Sequence, residues 1–155
     1  MDPEQFRAAG HELVDWMADY FAHIRDYRVF PDVKPGELID ALPTAAPETP
    51  EPFERIFDDF RRLVVPANTH WNHPNFYAFF SVSGAPPGIL AEMLIATLNV
   101  NHMLWRSSPA GTEMEQVTMN WLRQWLGLPE EFFGIIYDTA SISSLHALVA
   151  AREYA

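Results

Sequence analysis

The chain has 155 residues, enough for one ordinary domain with a single hydrophobic core. Apolar residues make up 48% and charged residues 20%, a globular balance that excludes a chain disordered throughout. With 21 acidic against 10 basic residues the net charge is −11, which argues against a phosphate-backbone binder, and the lack of cysteine excludes disulfides and thiolate metal sites. No run of about 18 apolar residues occurs, so no membrane span is expected. The opening Met1-Asp2-Pro3-Glu4 has neither the basic nor the apolar region of a secretory signal. These features fit a cytoplasmic protein with no nucleic-acid and no membrane partner.

The first predicted element is an amphipathic helix over 3–27. Asp2 is a suitable N-cap, Pro3 suits the first helical position, and Gln5 has capping-box spacing. Phe6, Ala9, Leu13, Met17, Tyr20 and Ile24 recur every three or four residues along one face. Residues 31–52 hold six prolines and read as a stiff, extended arm, with one short helical turn at Glu37–Leu42. A second helix is predicted over 51–64, capped by Thr49 with Pro50 at its first position. Residues 66–85 are aromatic and irregular. A third helix should run from Pro87 to Leu98. A fourth should start at Pro109 behind Ser108 and stop at Gly127, before Pro129.

The last segment changes character. Phe133-Gly134-Ile135-Ile136-Tyr137 is a short apolar run that reads as a buried strand. A hydroxyl-rich turn, Asp138-Thr139-Ala140-Ser141, leads into a final helix. Strand, turn and helix make the first half of a βαβ unit, and a lone strand leaves its backbone groups unpaired. Missing residues or another chain are therefore expected to complete the sheet, and the chain is read as a fragment.

Three chemical signals can be weighed. A helix N-terminus carries free N–H groups and about half a positive charge, which suits a phosphate, and Thr139, Ser141, Ser143 and Ser144 add hydroxyls at 139–144. The plainer reading is a helix start that favours hydroxyl caps. Neither a GxGxxG nor a Walker-type GK[ST] pattern is present. His70 and His73 sit three apart in a loop, a weak case for a metal because even a catalytic zinc normally needs a third protein ligand. The aromatic cluster from Trp71 to Phe80 suits a core or a loop-borne pocket equally.

Several motifs resemble one family in order and spacing. Thr69-His70-Trp71-Asn72-His73-Pro74-Asn75-Phe76-Tyr77-Ala78-Phe79-Phe80 is similar to the "THW-x-HP-x-F-x-A-x-F" stretch of the group II pyridoxal-phosphate (PLP) dependent amino-acid decarboxylases, the aromatic-L-amino-acid decarboxylases in particular. Ser108-Pro109-Ala110-Gly111-Thr112-Glu113-Met114-Glu115 resembles the family's "SPA-x-TE-x-E" helix start, and Met119-Asn120-Trp121-Leu122 with Gly127-Leu128-Pro129 resembles its continuation. Thr139-Ala140-Ser141 and the following Leu145 to Arg152 resemble the phosphate-loop turn and helix.

The resemblance implies an α/β fold of the aspartate-aminotransferase type (fold type I). This chain would supply a helical arm and dimerisation segment at 1–65, a substrate-pocket segment and helix at 66–107, and the start of the PLP-binding large domain at 108–155. It implies decarboxylation of an L-amino acid, an aromatic one by the pocket residues, in an obligate homodimer or together with the remaining part of the same enzyme. Ala140 and Ser141 match the positions that hold the PLP phosphate. Trp71, Phe79, Phe80 and Val82 match positions on the substrate pocket, and Asn101 and Met103 match positions that reach into a partner's pocket. No catalytic residue is assigned within the chain. The only lysine, Lys34, lies in the Pro-rich arm and does not match the family's Schiff-base lysine, which is expected downstream. Phe79 stands where the aromatic members carry tyrosine, Val82 where they carry threonine, Pro86-Pro87 in place of Tyr-Pro, and Asn101 and Met103 in place of isoleucine and phenylalanine. These departures bear on which substrate is taken. The alternatives are a non-catalytic helical interaction module and a related PLP enzyme such as an aromatic aldehyde synthase.

Overall fold

The computed structural model describes residues 1–80 and 82–155, and every regular element among them is helical. The chain forms two compact units, Met1–Pro86 and Pro87–Ala155.

In the first unit α1 spans Pro3–Ala22. The expected capping box is present: the Asp2 carboxylate accepts from the Gln5 N–H at 2.8 Å, and the Gln5 side chain accepts from the Asp2 N–H at 2.9 Å. The helix ends earlier than the predicted Tyr27. Ile24–Asp26 tighten into a 3₁₀ turn, and Tyr27 leaves in extended conformation. The Lys34-Pro35-Gly36-Glu37 segment is a type II turn, with Gly36 at φ 97° and the Glu37 N–H bonded to the Lys34 carbonyl. It opens the short helix α2, Glu37–Ala41.

Helix α3 covers Phe53–Asp59 and does not use the predicted Thr49 cap. The cause is Pro52, which disfavours helical geometry at Glu51 before it. Pro52 itself is the extended N-cap residue. The chain continues through one π turn, Phe60–Val64, and a 3₁₀ turn, Val65–Ala67. The core of this unit forms where Trp16 of α1 meets Phe57 and Phe60 edge-on, at 5.9 and 5.3 Å between ring centroids. Phe57 is 3% exposed, and the Arg61 guanidinium lies 4.8 Å over its ring.

The second unit contains most of α4, Pro86–Leu98, then α5, Pro109–Trp125, and α6, Ala140–Tyr154. Asn99 ends α4 at φ 48°, a conformation asparagine tolerates. Ser108 occupies the N-cap of α5 as predicted, but its hydroxyl makes no capping bond. The other end is a Schellman motif built on Gly127 at φ 66°: the Gly127 N–H bonds to the Gln124 carbonyl, and the Leu128 N–H to that of Arg123.

The predicted strand at 133–137 is not one. The segment has no regular secondary structure, and no ladder partner exists among the described residues. The segment is instead fastened to α5. The Ile136 N–H donates to Glu115 Oε1 at 2.8 Å, and a Cβ added at Gly134 would lie 2.9 Å from Met119 Cβ. Because Met119 Cβ is fixed to the helix backbone, Gly134→Ala is expected to cost about 1–3 kcal/mol, the range for overpacking. Denaturant midpoints of the holoenzyme containing this chain check it, and an unchanged midpoint contradicts it.

Burial is scarce. The buried apolar residues among those described are Ala9, Phe57, Val65 and Phe76, all in the first unit. The accessible surface is 13196 Å², against roughly 8,000 Å² for a compactly folded chain of this mass. Trp105, Trp121, Trp125, Phe132 and Phe133 are all exposed, so the second unit carries apolar surface that needs a protein neighbour.

Candidate functional site

Two clusters contain most of the residues singled out in the sequence. The first is the turn into α6. Thr139 caps the helix: its side chain accepts from the Ile142 N–H at 3.2 Å, and its carbonyl accepts from the Ser143 N–H. The Ser143 hydroxyl turns back onto the Ala140 carbonyl at 2.9 Å. The two N–H groups ahead of these, on Ala140 and Ser141, and the Ser141 hydroxyl have no intramolecular partner among the described residues. Both residues are exposed. This donor set, at the positive end of a 15-residue helix, matches the chemistry of a phosphate group. The hydroxyl-cap reading holds as well, for a different residue: Thr139 caps, which leaves Ser141 free of that task.

The second cluster is the aromatic loop that follows Asn68. Trp71 packs against Phe76 at 4.9 Å and lies nearly parallel to Phe79, at 5.7 Å and 15°. Phe76 is buried against Phe30. Phe79 adopts φ 58°, which costs a non-glycine residue roughly 1–2 kcal/mol and persists only where its surroundings impose it. Phe80 is 99% exposed and Val82 84% exposed. The structure thus brings Trp71 and Phe79 together, while Phe80 and Val82 project without aromatic contacts among the described residues.

The loop is held from beneath by polar side chains. His70 is buried, its Nδ1 2.9 Å from the Tyr20 hydroxyl, and its ring lies 4.7 Å from that of Tyr27. The Asn72 carboxamide oxygen accepts from the Gly84 N–H at 2.7 Å. The buried His73 accepts at Nδ1 from the Asn75 N–H at 3.0 Å. His70 thus ties the loop to α1 and His73 serves a bond within the loop, and no cluster of three metal-ligating side chains occurs among the described residues. Sequence periodicity marks Tyr20 only as a member of the apolar face of α1. The partner of its hydroxyl, fifty residues away, has no local signature.

Burial chiefly, and electrostatic repulsion from the neighbouring His73 next, hold the His70 imidazole below its ordinary pKa. A lowered folded pKa means that protonation opposes folding. The stabilisation is complete above the unfolded value of about 6.5 and is lost as pH falls through the lower folded value. Denaturant midpoints from about pH 7.5 to about pH 5 should therefore fall less steeply in His70→Gln than in the parent enzyme. Parallel curves would contradict this.

Asn101 and Met103 lie in the second unit, in the turn between α4 and α5. The Asn101 side chain accepts from the Met103 N–H at 2.7 Å, and its carbonyl accepts from the Ser107 hydroxyl at 2.8 Å. The Met103 side chain is exposed. Trp105 Nε1 donates to Glu113 at 3.0 Å, which ties the same turn to α5.

Residues 35–155 match the model of the pyridoxal-dependent decarboxylase conserved domain. The chain belongs to this family. It is 43% identical to the aromatic-L-amino-acid decarboxylase of Bos taurus, with 98% of this chain and 33% of that protein covered. It is 44% identical to the phenylacetaldehyde synthase of Petunia hybrida, with coverage of 99% and 31%. Among solved structures it superposes on Catharanthus roseus tryptophan decarboxylase, in complex with L-tryptophan, with a TM-score of 0.91 at 41% identity, covering 99% of this chain and 33% of that one. The chain spans about a third of the length of these relatives. The fold is accordingly the fold type I arrangement expected from the motifs, of which these residues form a mostly helical part. No helix among the described residues is long and apolar enough to cross a membrane.

Proposed function

We propose that this chain forms part of a PLP-dependent decarboxylase of L-amino acids with aromatic side chains. The observation that carries the reading is the set of unpartnered donors at the start of α6, on Ala140 and Ser141, in a chain of this family. The fit to a phosphate is chemical: two N–H groups and a hydroxyl are free to donate at the positive end of a helix, where charge-assisted bonds to an anion are strong. Bound there, PLP supplies an electron sink for the pair left behind when the substrate carboxylate departs as CO2.

This chain's own residues do the remaining work by binding and orientation. Ala140 and Ser141 hold the phosphate. Trp71, Phe79, Phe80 and Val82 offer an apolar wall to the substrate side chain, with Asn101 and Met103 supplied across a homodimer. The scarcity of buried apolar surface and the exposed tryptophans of the second unit support a role inside a larger assembly. No residue here matches the covalent lysine, because Lys34 sits in the type II turn before α2.

A phosphate-anchored cofactor gives a direct test. The enzyme containing this chain should retain PLP through gel filtration, with its visible absorbance, and should bind unphosphorylated pyridoxal far more weakly. Equal affinity for the two would overturn the assignment of the α6 turn. The similarity to a phenylacetaldehyde synthase marks a second possible outcome of the same chemistry, an aldehyde in place of an amine, which product analysis separates.

A further inference from the structure

Helix α1 reaches the aromatic loop through Tyr20. The Tyr20 hydroxyl lies 2.9 Å from His70 Nδ1, and a neutral His70 protonated on Nε2 accepts that proton. His70 is fixed at its other end too, because its N–H donates to the Val29 carbonyl at 3.0 Å. One edge of its ring is covered by Tyr27, and the residue is 6% exposed. The next residue in the chain is Trp71, whose indole lies flat against Phe79. A shift of His70 therefore moves the Trp71 backbone, and with it the aromatic wall. The Tyr20 phenol is itself pushed up by burial. On the far side of Trp71, Asn72 holds the Gly84 N–H. Tyr20 thus stands beneath His70, the residue directly before Trp71.

We propose that Tyr20, acting through His70, is a positioning residue for Trp71 and so sets how the enzyme discriminates among aromatic substrates. The proposal rests on the reading of Trp71 as part of the substrate pocket. Tyr20 touches neither substrate nor cofactor in this account. Its hydroxyl fixes the loop, and the loop presents the indole.

The test is a double-mutant cycle in the PLP-loaded enzyme that contains this chain, with Tyr20→Phe, Trp71→Ala and the pair. The readout is the ratio of kcat/KM for tryptophan to that for phenylalanine, with KM and kcat resolved separately. Tyr20→Phe keeps the ring and removes one neutral hydrogen bond, an effect of about fivefold. The expected result is that it raises KM for tryptophan about that much, leaves kcat nearly unchanged and alters the ratio, while cofactor affinity stays at the parent value. Trp71→Ala should alter the ratio at least as far, and the double variant should go no further, because the two residues act as one unit. His70→Asn keeps an acceptor near the Nδ1 position for the Tyr20 hydroxyl and should hold the ratio near the parent value, which a general loss of packing would not do. If Trp71→Ala shifts the ratio and Tyr20→Phe does not, or if the two effects add, the positioning role is overturned and the pocket reading survives. If Trp71→Ala leaves the ratio unchanged, the pocket reading fails and the positioning role fails with it.

Discussion

Ser141→Ala is expected to weaken PLP binding by about 1.5–3 kcal/mol, the range for a hydrogen bond to a charged group, which corresponds to roughly a 10- to 150-fold higher Kd. The size follows from the division of labour at the start of α6. Thr139 already caps the helix, so the Ser141 hydroxyl is not needed for helix stability and is available to the anion. The mutation should therefore leave the thermal stability of the apo-enzyme nearly unchanged. Thr139→Ala should behave in the opposite way. It removes the cap and costs about 1 kcal/mol of stability. Titration of apo-enzyme with PLP, followed by absorbance, measures the first quantity. An unchanged Kd in Ser141→Ala would remove the hydroxyl from the phosphate site.

The second large effect concerns substrate choice. The wall formed by Trp71 and Phe79 is apolar, and Phe80 and Val82 add no hydroxyl to it. A site that hydrogen-bonds a substrate hydroxyl rejects the analogue lacking it by as much as about 10⁴–10⁵, whereas an apolar wall discriminates only about 10²-fold. Phenylalanine and dihydroxyphenylalanine should therefore differ by less than about a thousandfold in kcat/KM. Glutamate should be the poorest of a panel that also includes tyrosine and tryptophan, since a carboxylate side chain requires a cationic partner. The one lysine of the chain lies in the Pro-rich arm, and Arg106 is the arginine near the pocket segments. Preference for glutamate would contradict the apolar reading of this wall. A thousandfold preference for dihydroxyphenylalanine would show that the wall carries a polar contact.

What could be read without coordinates was local. The capping box of Asp2 and Gln5, the Gly127 stop of α5 and the hydroxyl start of α6 are encoded within four or five residues, and each is found where the residue types put it. Thr49 failed as a cap for an equally local reason, overlooked in the pattern: Pro52 lies three residues on and forbids helical geometry at Glu51. The apolar run at 133–137 is a different case. Strand formation depends on a neighbouring strand, and here the Ile136 N–H is taken by Glu115 from α5. The Tyr20–His70 and Trp105–Glu113 contacts depend on how separate segments meet, which no periodicity specifies. For the candidate site, motif resemblance is what nominates the residues. The polar support beneath the aromatic loop became visible only with the fold.

The most direct test of the central claim is the product balance of the PLP-loaded enzyme that contains this chain, given L-tryptophan and, separately, L-phenylalanine. The account predicts one CO2 and one amine for each amino acid consumed, with no product when PLP is omitted. An aldehyde in place of the amine would place the protein with the aldehyde synthases, and consumption of neither amino acid under PLP-saturating conditions would contradict the account.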